Sequence, residues 1–175
     1  MSGRVAPGRD HGRAARVGAL AALTGALILA GCSDDDGLAD RQAAVAERGA
    51  TVMPFDLEAT THVFTPTGDG GVQVVRADDP TDTEQVAAVR RHLEAEAHRF
   101  ARGDFSDPAR IHGMDMPGLQ VLSRRADEVR IAYATLPDGA ELRYRATDPA
   151  LVEALHDWFD AQVMDHGAHA ESGHR

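Results

Sequence analysis

The chain has 175 residues, of which 28 are acidic and 18 are basic, for a formal net charge of −10 at pH 7. A surface this acidic repels phosphate backbones, so the composition argues against nucleic acid as a partner. The single cysteine, Cys32, excludes an intrachain disulfide, a thiol redox pair and a cysteine-based zinc cluster.

The first 31 residues have the pattern of a bacterial export signal. Arginines between residues 4 and 16 precede the apolar stretch VGALAALTGALILA at residues 17–30, which is too short to span a bilayer comfortably. The stretch ends in Leu-Ala-Gly-Cys32, which resembles the bacterial lipobox, whose cysteine sulfur receives a diacylglyceryl group. We predict that residues 1–31 are removed and that Cys32 becomes a lipidated N-terminus, anchored to the cell membrane or outer membrane on its extracytoplasmic side. An ordinary secretory signal with an incidental cysteine is the alternative.

The segment after the cysteine is predicted to be an acidic spacer. Ser33 is followed by three aspartates, and GLADRQAAVAER at residues 37–48 can form a short helix but has few apolar side chains with which to dock. We therefore predict an acidic, lipidated tether over residues 32–58, ahead of the folded domain.

The folded part, residues 59–167, contains two related units. VQVVRADDP at residues 72–80 aligns without gaps with ELRYRATDP at residues 141–149, and each is preceded by a glycine turn and followed by apolar residues at helical spacing. Each unit therefore predicts a strand, a turn, a second strand and a helix with one face to bury.

These elements predict an α+β fold. A four-stranded antiparallel sheet covered on one side by two helices is their simplest two-layer arrangement, although the strand order stays open. Hairpins exchanged between two subunits are the alternative. Residues 168–175 are predicted to form a flexible, histidine-containing tail that can collect metal ions loosely.

A long connection between the two units contains candidate metal ligands. It is GDFSDPARIHGMDMPGL at residues 103–119, with His112, Met114 and Met116 at alternating positions. Thioethers favour Cu(I) and imidazole binds either copper oxidation state, so this loop is a candidate copper site, with His166 as a further ligand if the C-terminal segment folds back. In the alternative interpretation, the methionines fill gaps under the loop and His112 hydrogen-bonds a carbonyl.

His62 aligns with Ile131 in the repeat, so we predict that it faces the apolar side of the sheet as a hydrogen-bonded core residue.

The remaining signals favour a protein that is not an enzyme. The sequence has no G-x-S-x-G elbow, no H-E-x-x-H motif, no phosphate-binding glycine loop and no cysteine nucleophile.

Four segments carry a resemblance to a known family. They are MPFDL at residues 53–57, TTHVF at residues 60–64, FSDPARIHGMDMPGL at residues 105–119 and ALHDWFDAQVMDHG at residues 154–167. With them, the chain resembles an uncharacterised family of bacterial exported proteins and lipoproteins over most of residues 53–169, and the resemblance implies no activity and no site residues. Some members bear a carbamoyltransferase name, but this chain looks unlike that enzyme class, because it is much shorter, is predicted to be exported, and lacks the Ser-Thr-Arg-Thr-Arg phosphate-binding run.

The sequence leaves three hypotheses for function. The leading one is a lipid-anchored lipoprotein of the cell envelope that binds or handles copper through His112, Met114, Met116 and His166. The second is a non-enzymatic interaction domain, in which the Met-Pro-Gly loop contacts another envelope protein. The third is a hydrolase, which requires a pocket with convergent carboxylates.

Overall fold

The computed structural model of the chain describes residues 34–173. The predicted export signal over residues 1–31 and the predicted lipidation site at Cys32 lie outside this range. Within it, no helix combines the length and the apolar character that are needed to cross a bilayer.

Residues 34–173 form an α+β fold, as predicted, with five α-helices and five strands. In chain order these elements are α1 (Asp34–Val52), β1 (Thr60–Thr67), β2 (Gly70–Ala77), α2 (Thr83–Phe100), α3 (Ser106–His112), α4 (Leu119–Arg124), β3 (Arg130–Leu136), β4 (Gly139–Arg145), α5 (Pro149–His166) and β5 (Ala170–Ser172). The order strand, strand, helix occurs twice, as β1-β2-α2 and as β3-β4-α5, in agreement with the two units expected from the sequence.

The sheet has the strand order β3-β4-β2-β1-β5. The four predicted strands pair antiparallel, with β2 and β4 at the junction between the two units. The fifth strand, β5, pairs parallel with β1, so that Ala170 lies opposite His62. The prediction of a four-stranded, purely antiparallel sheet is therefore wrong in the number of strands and in the orientation of the added strand.

The fifth strand comes from the segment that was expected to be a flexible tail, residues 168–175. The chain reverses at Gly167, whose φ of 55° is a conformation that glycine adopts without strain. The segment then runs along β1, and the backbone N–H of Gly173 donates to the carbonyl of Phe64 at 2.8 Å. The added strand satisfies backbone groups on the free edge of β1, which explains why the segment up to Gly173 belongs to the sheet.

Helices α2 and α5 cover one face of the sheet, and the core lies between these two layers. Side chains alternate along the strands, so that Leu142 and Tyr144 of β4 both point toward the helices and are buried. On α5, Trp158 is 1 % exposed, and its ring meets those of Phe100, Phe105 and Tyr144 edge-on at 5.7–5.8 Å. Trp158 is therefore at the centre of the aromatic core.

Helix α1 packs against α3 and α5. Val45 is fully buried, the guanidinium of Arg41 binds Asp165 on α5, and Arg48 donates to a backbone carbonyl of α3 at 2.5 Å. Residues 34–58 are therefore folded onto the domain, which differs from the free acidic tether predicted over residues 32–58. The helix has few apolar residues, as expected, but the two arginine contacts supplement the burial of Val45, and no local sequence pattern reveals them.

Candidate metal centre

The structure separates the four predicted metal ligands. His112, at the end of α3, is 3 % exposed, and its ring centre lies 4.9 Å from that of His166, the last residue of α5. Met116 is buried in the hydrophobic core, whereas Met114 is 67 % exposed. Of the predicted set, only the two imidazoles meet.

The loop backbone explains why the two methionines diverge. Helix α3 ends at His112, and Gly118, with a φ of 73°, passes so close to α5 that a Cβ there would lie 2.0 Å from the carbonyl oxygen of Ala154. The loop is therefore held against α5, where Met116 enters the core and Met114 faces solvent. Met116 fills space beneath the loop, as the alternative interpretation expected, but Met114 does not, and His112 contacts the carboxylate of Asp165 where that interpretation expected a carbonyl.

A third histidine, His62 on β1, joins His112 and His166. It is 3 % exposed, and its ring centre lies 5.2 Å from that of His166. As the repeat predicts, it faces the apolar side of the sheet, but its Nδ1 is buried without a hydrogen-bond partner among residues 34–173. We refer to His62, His112 and His166 as the histidine cluster.

A buried carboxylate orients one ring of the histidine cluster. The side chain of Asp165 is fully buried, and its Oδ2 lies 2.9 Å from Nδ1 of His112. Arg41 of α1 donates to both oxygens of this carboxylate, at 2.5 and 2.8 Å. Burial acts to raise the pKa of Asp165, but the hydrogen bonds from Arg41 and His112 outweigh it and lower that pKa. Because Asp165 is ionised, Nδ1 of His112 carries the hydrogen and Nε2 keeps its lone pair.

Burial lowers the pKa of all three imidazoles. The pKa of His62 falls to about 4 and that of His166 to about 2, and in both cases neighbouring histidines add to the effect of burial. Burial also lowers the pKa of His112, against the opposing effect of Asp165. The three rings are therefore neutral at pH 7, which is the form that binds metal ions.

The donor atoms of the cluster are not arranged as in a closed metal site. Across residues 34–173, no three His, Cys, Asp or Glu side chains hold positions from which they could bind one metal ion as they stand. The ring centres of His62 and His112 lie 5.2 Å and 4.9 Å from that of His166, so the rings are neighbours although their nitrogen atoms do not form a metal site.

A small cavity of about 40 Å³ adjoins the histidine cluster. Its polar lining consists of the three cluster histidines with Gln73, His92, Glu96, Asp107 and Gln162, and its apolar lining includes Phe64, Phe100 and Trp158. Nε1 of Trp158, like Nδ1 of His62, is buried without a hydrogen-bond partner in the described part of the chain. Buried polar atoms without a partner are uncommon, so two of them on residues around one cavity indicate a candidate ligand site.

Glu96 is a buried acid in the wall of this cavity. It is 5 % exposed, and burial raises its pKa to about 8. The nearby carboxylate of Asp107 adds to the shift, whereas Arg99, which contacts both carboxylates, opposes it. Glu96 is therefore mostly protonated at pH 7 and can donate a hydrogen bond into the cavity.

The raised pKa of Glu96 predicts a measurable dependence of stability on pH. Below about pH 6.5 the histidine cluster makes the protein more stable as the pH rises, because the unfolded state protonates imidazoles that the folded state keeps neutral. Glu96 acts in the opposite sense: between about pH 4.5 and pH 8 its carboxyl group keeps a proton in the folded state that the unfolded state releases, so its contribution to the free energy of unfolding falls as the pH rises. Glu96→Gln removes the contribution of this carboxyl group to the pH dependence. We expect the free energy of unfolding of the variant, compared with that of the unmodified protein, to be more favourable at pH 9 than at pH 4 by on the order of a few kcal/mol. Denaturant unfolding at the two pH values measures the difference.

The matched control for this prediction is Glu94→Gln, at an exposed position of the same helix. We expect the control to keep the pH dependence of the unmodified protein. Equal pH slopes for Glu96→Gln and the unmodified protein would show that Glu96 is ionised in the folded state.

Comparison of the chain with protein-family models, with curated proteins and with solved structures found no match. The family resemblance expected from the sequence therefore stays a prediction.

Sequence reasoning missed His62 as a member of the site, together with the contacts made by Asp165 and Arg41. One signal was available, because His62, His112 and His166 each lie in one of the segments on which the family resemblance rests. A second signal was the position of His62 on an apolar strand face, because burying a polar side chain is costly unless it makes a hydrogen bond or binds a ligand.

Proposed function

We propose that the protein is a lipid-anchored lipoprotein of the cell envelope that binds one divalent metal ion, Cu²⁺ or Zn²⁺, through the histidine cluster. The observation that carries the proposal is the meeting of three imidazoles from three separate elements, β1, α3 and α5, of which His62 and His112 are buried and His166 is half-buried. Burying a polar ring is costly unless its nitrogen atoms are hydrogen-bonded or bind a ligand, and Nδ1 of His62 has no hydrogen-bond partner among residues 34–173.

The spacing of the rings agrees with tetrahedral coordination. When Zn–N distances are about 2.0–2.1 Å, the centres of two coordinating rings lie about 5 Å apart. The ring centres of His62 and His112 lie 5.2 Å and 4.9 Å from that of His166. Metal binding then requires the rings to turn toward a common point with little change in the distances between them.

The ion pair of Asp165 and Arg41 also supports a metal site. Histidine ligands of metals usually donate their second ring N–H to a carboxylate or carbonyl, which selects the tautomer and orients the ring. Nδ1 of His112 makes this bond to Asp165, and Arg41 in turn holds the carboxylate. His112 is therefore prepared to bind a metal ion through Nε2.

The three nitrogen donors of the histidine cluster favour a different metal ion from the one expected from the sequence. The proposed loop site contained two thioethers, which favour Cu(I), whereas imidazole suits Cu²⁺ and Zn²⁺. With similar donors, Cu²⁺ binds more tightly than Zn²⁺, so availability in the envelope decides which ion occupies the site. Copper remains a candidate, in its divalent form.

Equilibrium titration of the purified, metal-free protein with Cu²⁺ and Zn²⁺, in competition with a chelator of known affinity, tests the proposal. We expect one equivalent of metal per chain, and we expect the affinity to be unchanged in Met114→Leu, because the exposed thioether takes no part. His98→Ala, at an exposed position of α2, is the control, because it removes an imidazole that is not part of the histidine cluster. Absence of stoichiometric binding, or an affinity that depends on Met114, would refute the imidazole site.

One observation favours the second function, an interaction domain. The exposed Met114 lines an open groove of about 510 Å³ together with Phe105 and Leu119. Methionine suits adaptable contact surfaces, so this groove is where another envelope protein would bind. An interaction domain needs no metal, and the titration therefore separates the two functions.

A further inference from the structure

We infer that two copies of the chain associate through the free edge of β3, in an antiparallel pairing centred on Tyr133 that joins their five-stranded sheets into one. The strand edge is an interaction surface, and the partner that it fits is a second copy of this chain. Association of this kind goes beyond the proposed function, because it requires no metal ion.

Strand β3 is the unprotected edge of the sheet that residues 34–173 form. The other edge strand, β5, has three residues and carries Glu171, whereas β3 runs for seven residues, with no charge after Arg130 and no proline. It also pairs with β4 residue for residue, without a bulge. Short length, charge, proline and bulges are the features that keep an edge strand from pairing with another chain. Beyond Arg130, β3 has none of them.

The hydrogen bonds of β4 with β2 show which backbone groups of β3 point outward. The N–H of Ala77 donates to the carbonyl of Asp138, and the N–H of Ala146 donates to the carbonyl of Asp69, both at 2.9 Å. These two pairs extend the register of β2 and β4 by one residue at each end. Hydrogen-bonded pairs alternate along an antiparallel ladder, so the even-numbered residues of β4 bond to β2 and the odd-numbered ones bond to β3.

Three residues of β3 therefore turn their backbone groups toward the free edge. The odd-numbered residues of β4 lie opposite the even-numbered residues of β3, which leaves Ile131, Tyr133 and Thr135 with N–H and C=O groups that point away from β4. Within residues 34–173, no backbone hydrogen bond from outside the sheet reaches these three residues. An added strand is the partner that such a row of groups accepts.

A second copy of β3 matches these groups when the two strands run antiparallel about a two-fold axis at Tyr133. Tyr133 then pairs with its own copy, and Ile131 pairs with Thr135 of the second copy on both sides of the axis. Every outward N–H and C=O group of the three residues finds a partner in this register. The strand is thus complementary to itself.

Neighbouring registers that keep the helices on one side of the joined sheet satisfy fewer groups. An axis at Ala134 places Ile131 opposite Pro137, which has no N–H to donate. An axis at Ala132 places Thr135 opposite Val129, whose N–H already donates within the preceding turn. The register centred on Tyr133 is therefore the favoured one.

The side chains of β3 suit this pairing. The exposed Ala132 lies opposite Ala134 of the second copy, where small side chains allow close approach. Arg130, the only charged residue of the strand, lies opposite Leu136 and does not meet its own copy. The chain has a net charge of −10, so copies repel one another in general, but β3 brings no acidic residue to the contact.

The helices leave room for the second copy. Helix α2 lies over β4 and contacts β3 and β2 on either side of it. In the joined sheet the two α2 helices are three strand spacings apart, about 14 Å, whereas packed helices approach to about 8–10 Å. The half-buried side chains of Ile131 and Tyr133 lie on this face and extend the apolar layer between the two helices.

Sedimentation of the purified full chain in detergent, at concentrations up to about 100 µM, tests this association. We expect a dimer that dissociates on dilution. Thr135→Pro removes one outward N–H from each copy but leaves the hydrogen bonds to β4 in place, and we expect it to weaken dimerisation by at least about tenfold. Thr135→Val keeps the N–H and the shape of the side chain, and it should dimerise as the unmodified protein does.

Two results of this experiment overturn the inference. One is a chain that stays monomeric at every concentration. The other is a Thr135→Pro variant that dimerises as tightly as the unmodified protein, which is the result expected for hairpins exchanged between subunits.

Cysteine cross-linking keeps the test decisive if Thr135→Pro fails to fold. In the register centred on Tyr133, Ala132 and Ala134 of the second copy form a pair without hydrogen bonds, with Cα atoms about 4.5 Å apart, which a disulfide can bridge. After replacement of the single native cysteine by Cys32→Ser, the double variant Ala132→Cys/Ala134→Cys should give a cross-linked dimer with diamide as the oxidant. Either single variant, whose cysteine faces an alanine, should give much less. No cross-linked dimer in the double variant, or equal cross-linking in a single variant, overturns the inference.

Discussion

Replacing His112 by alanine is expected to lower the affinity for Cu²⁺ and Zn²⁺ by at least about 100-fold. The variant loses one of three nitrogen donors and leaves the buried carboxylate of Asp165 with only its two hydrogen bonds from Arg41. Competition titration against a chelator measures the change, and circular dichroism checks that the fold is retained.

Asp165→Asn provides a graded comparison for this prediction. The amide keeps the size of the side chain but loses the charge that holds Arg41 and selects the tautomer of His112, so we expect an affinity about 10–100-fold lower than that of the unmodified protein. The expected loss of metal affinity is largest in His112→Ala, smaller in Asp165→Asn and absent in His98→Ala. Equal affinities in all three variants would show that the metal ion binds elsewhere.

Replacing Trp158 by alanine is expected to reduce the free energy of unfolding by about 3–5 kcal/mol. The indole is 1 % exposed and contacts the rings of Phe100, Phe105 and Tyr144, so truncation removes a large buried surface and leaves a cavity that the surrounding rings cannot fill. Denaturant unfolding at pH 7 measures the loss as a shift of the midpoint.

The control for this prediction is Met114→Ala, at a solvent-exposed position where substitutions usually change stability by no more than about 0.5 kcal/mol. The loss of free energy of unfolding in Trp158→Phe should lie between the losses in Trp158→Ala and Met114→Ala. A loss below about 1 kcal/mol for Trp158→Ala would contradict the central place of the indole in the core.

Helix α1 connects the predicted lipid anchor with the candidate metal centre. The helix begins at Asp34, directly after Cys32 and Ser33, and its Arg41 holds the carboxylate that orients His112. If Cys32 is acylated, as the lipobox predicts, the helix that follows the anchor in the sequence is also the one that carries Arg41. A segment expected to be a passive tether thus contributes a positioning residue to the site.

The candidate site was predictable only in part. The sequence pointed to His112 and His166 as ligands, and the structure brings their rings together. It also grouped Met114 and Met116 with them, because alternating residues in a loop are close along the chain. Loop backbone conformation decides where such side chains point, and here one methionine enters the core while the other faces solvent.

The sequence by itself determined the elements that depend on local patterns. Glycine turns, strand alternation and helical spacing are set by neighbouring residues, so the two strand-strand-helix units and the α+β class followed from them. The inward orientation of His62 followed from the repeat for the same reason.

Only the tertiary structure decided which distant segments meet. The docking of α1, the addition of β5 to the edge of β1 and the assembly of the histidine cluster each join parts of the chain that are far apart in sequence. Such contacts arise from the packing of whole elements against one another, and no periodicity within a single segment encodes them.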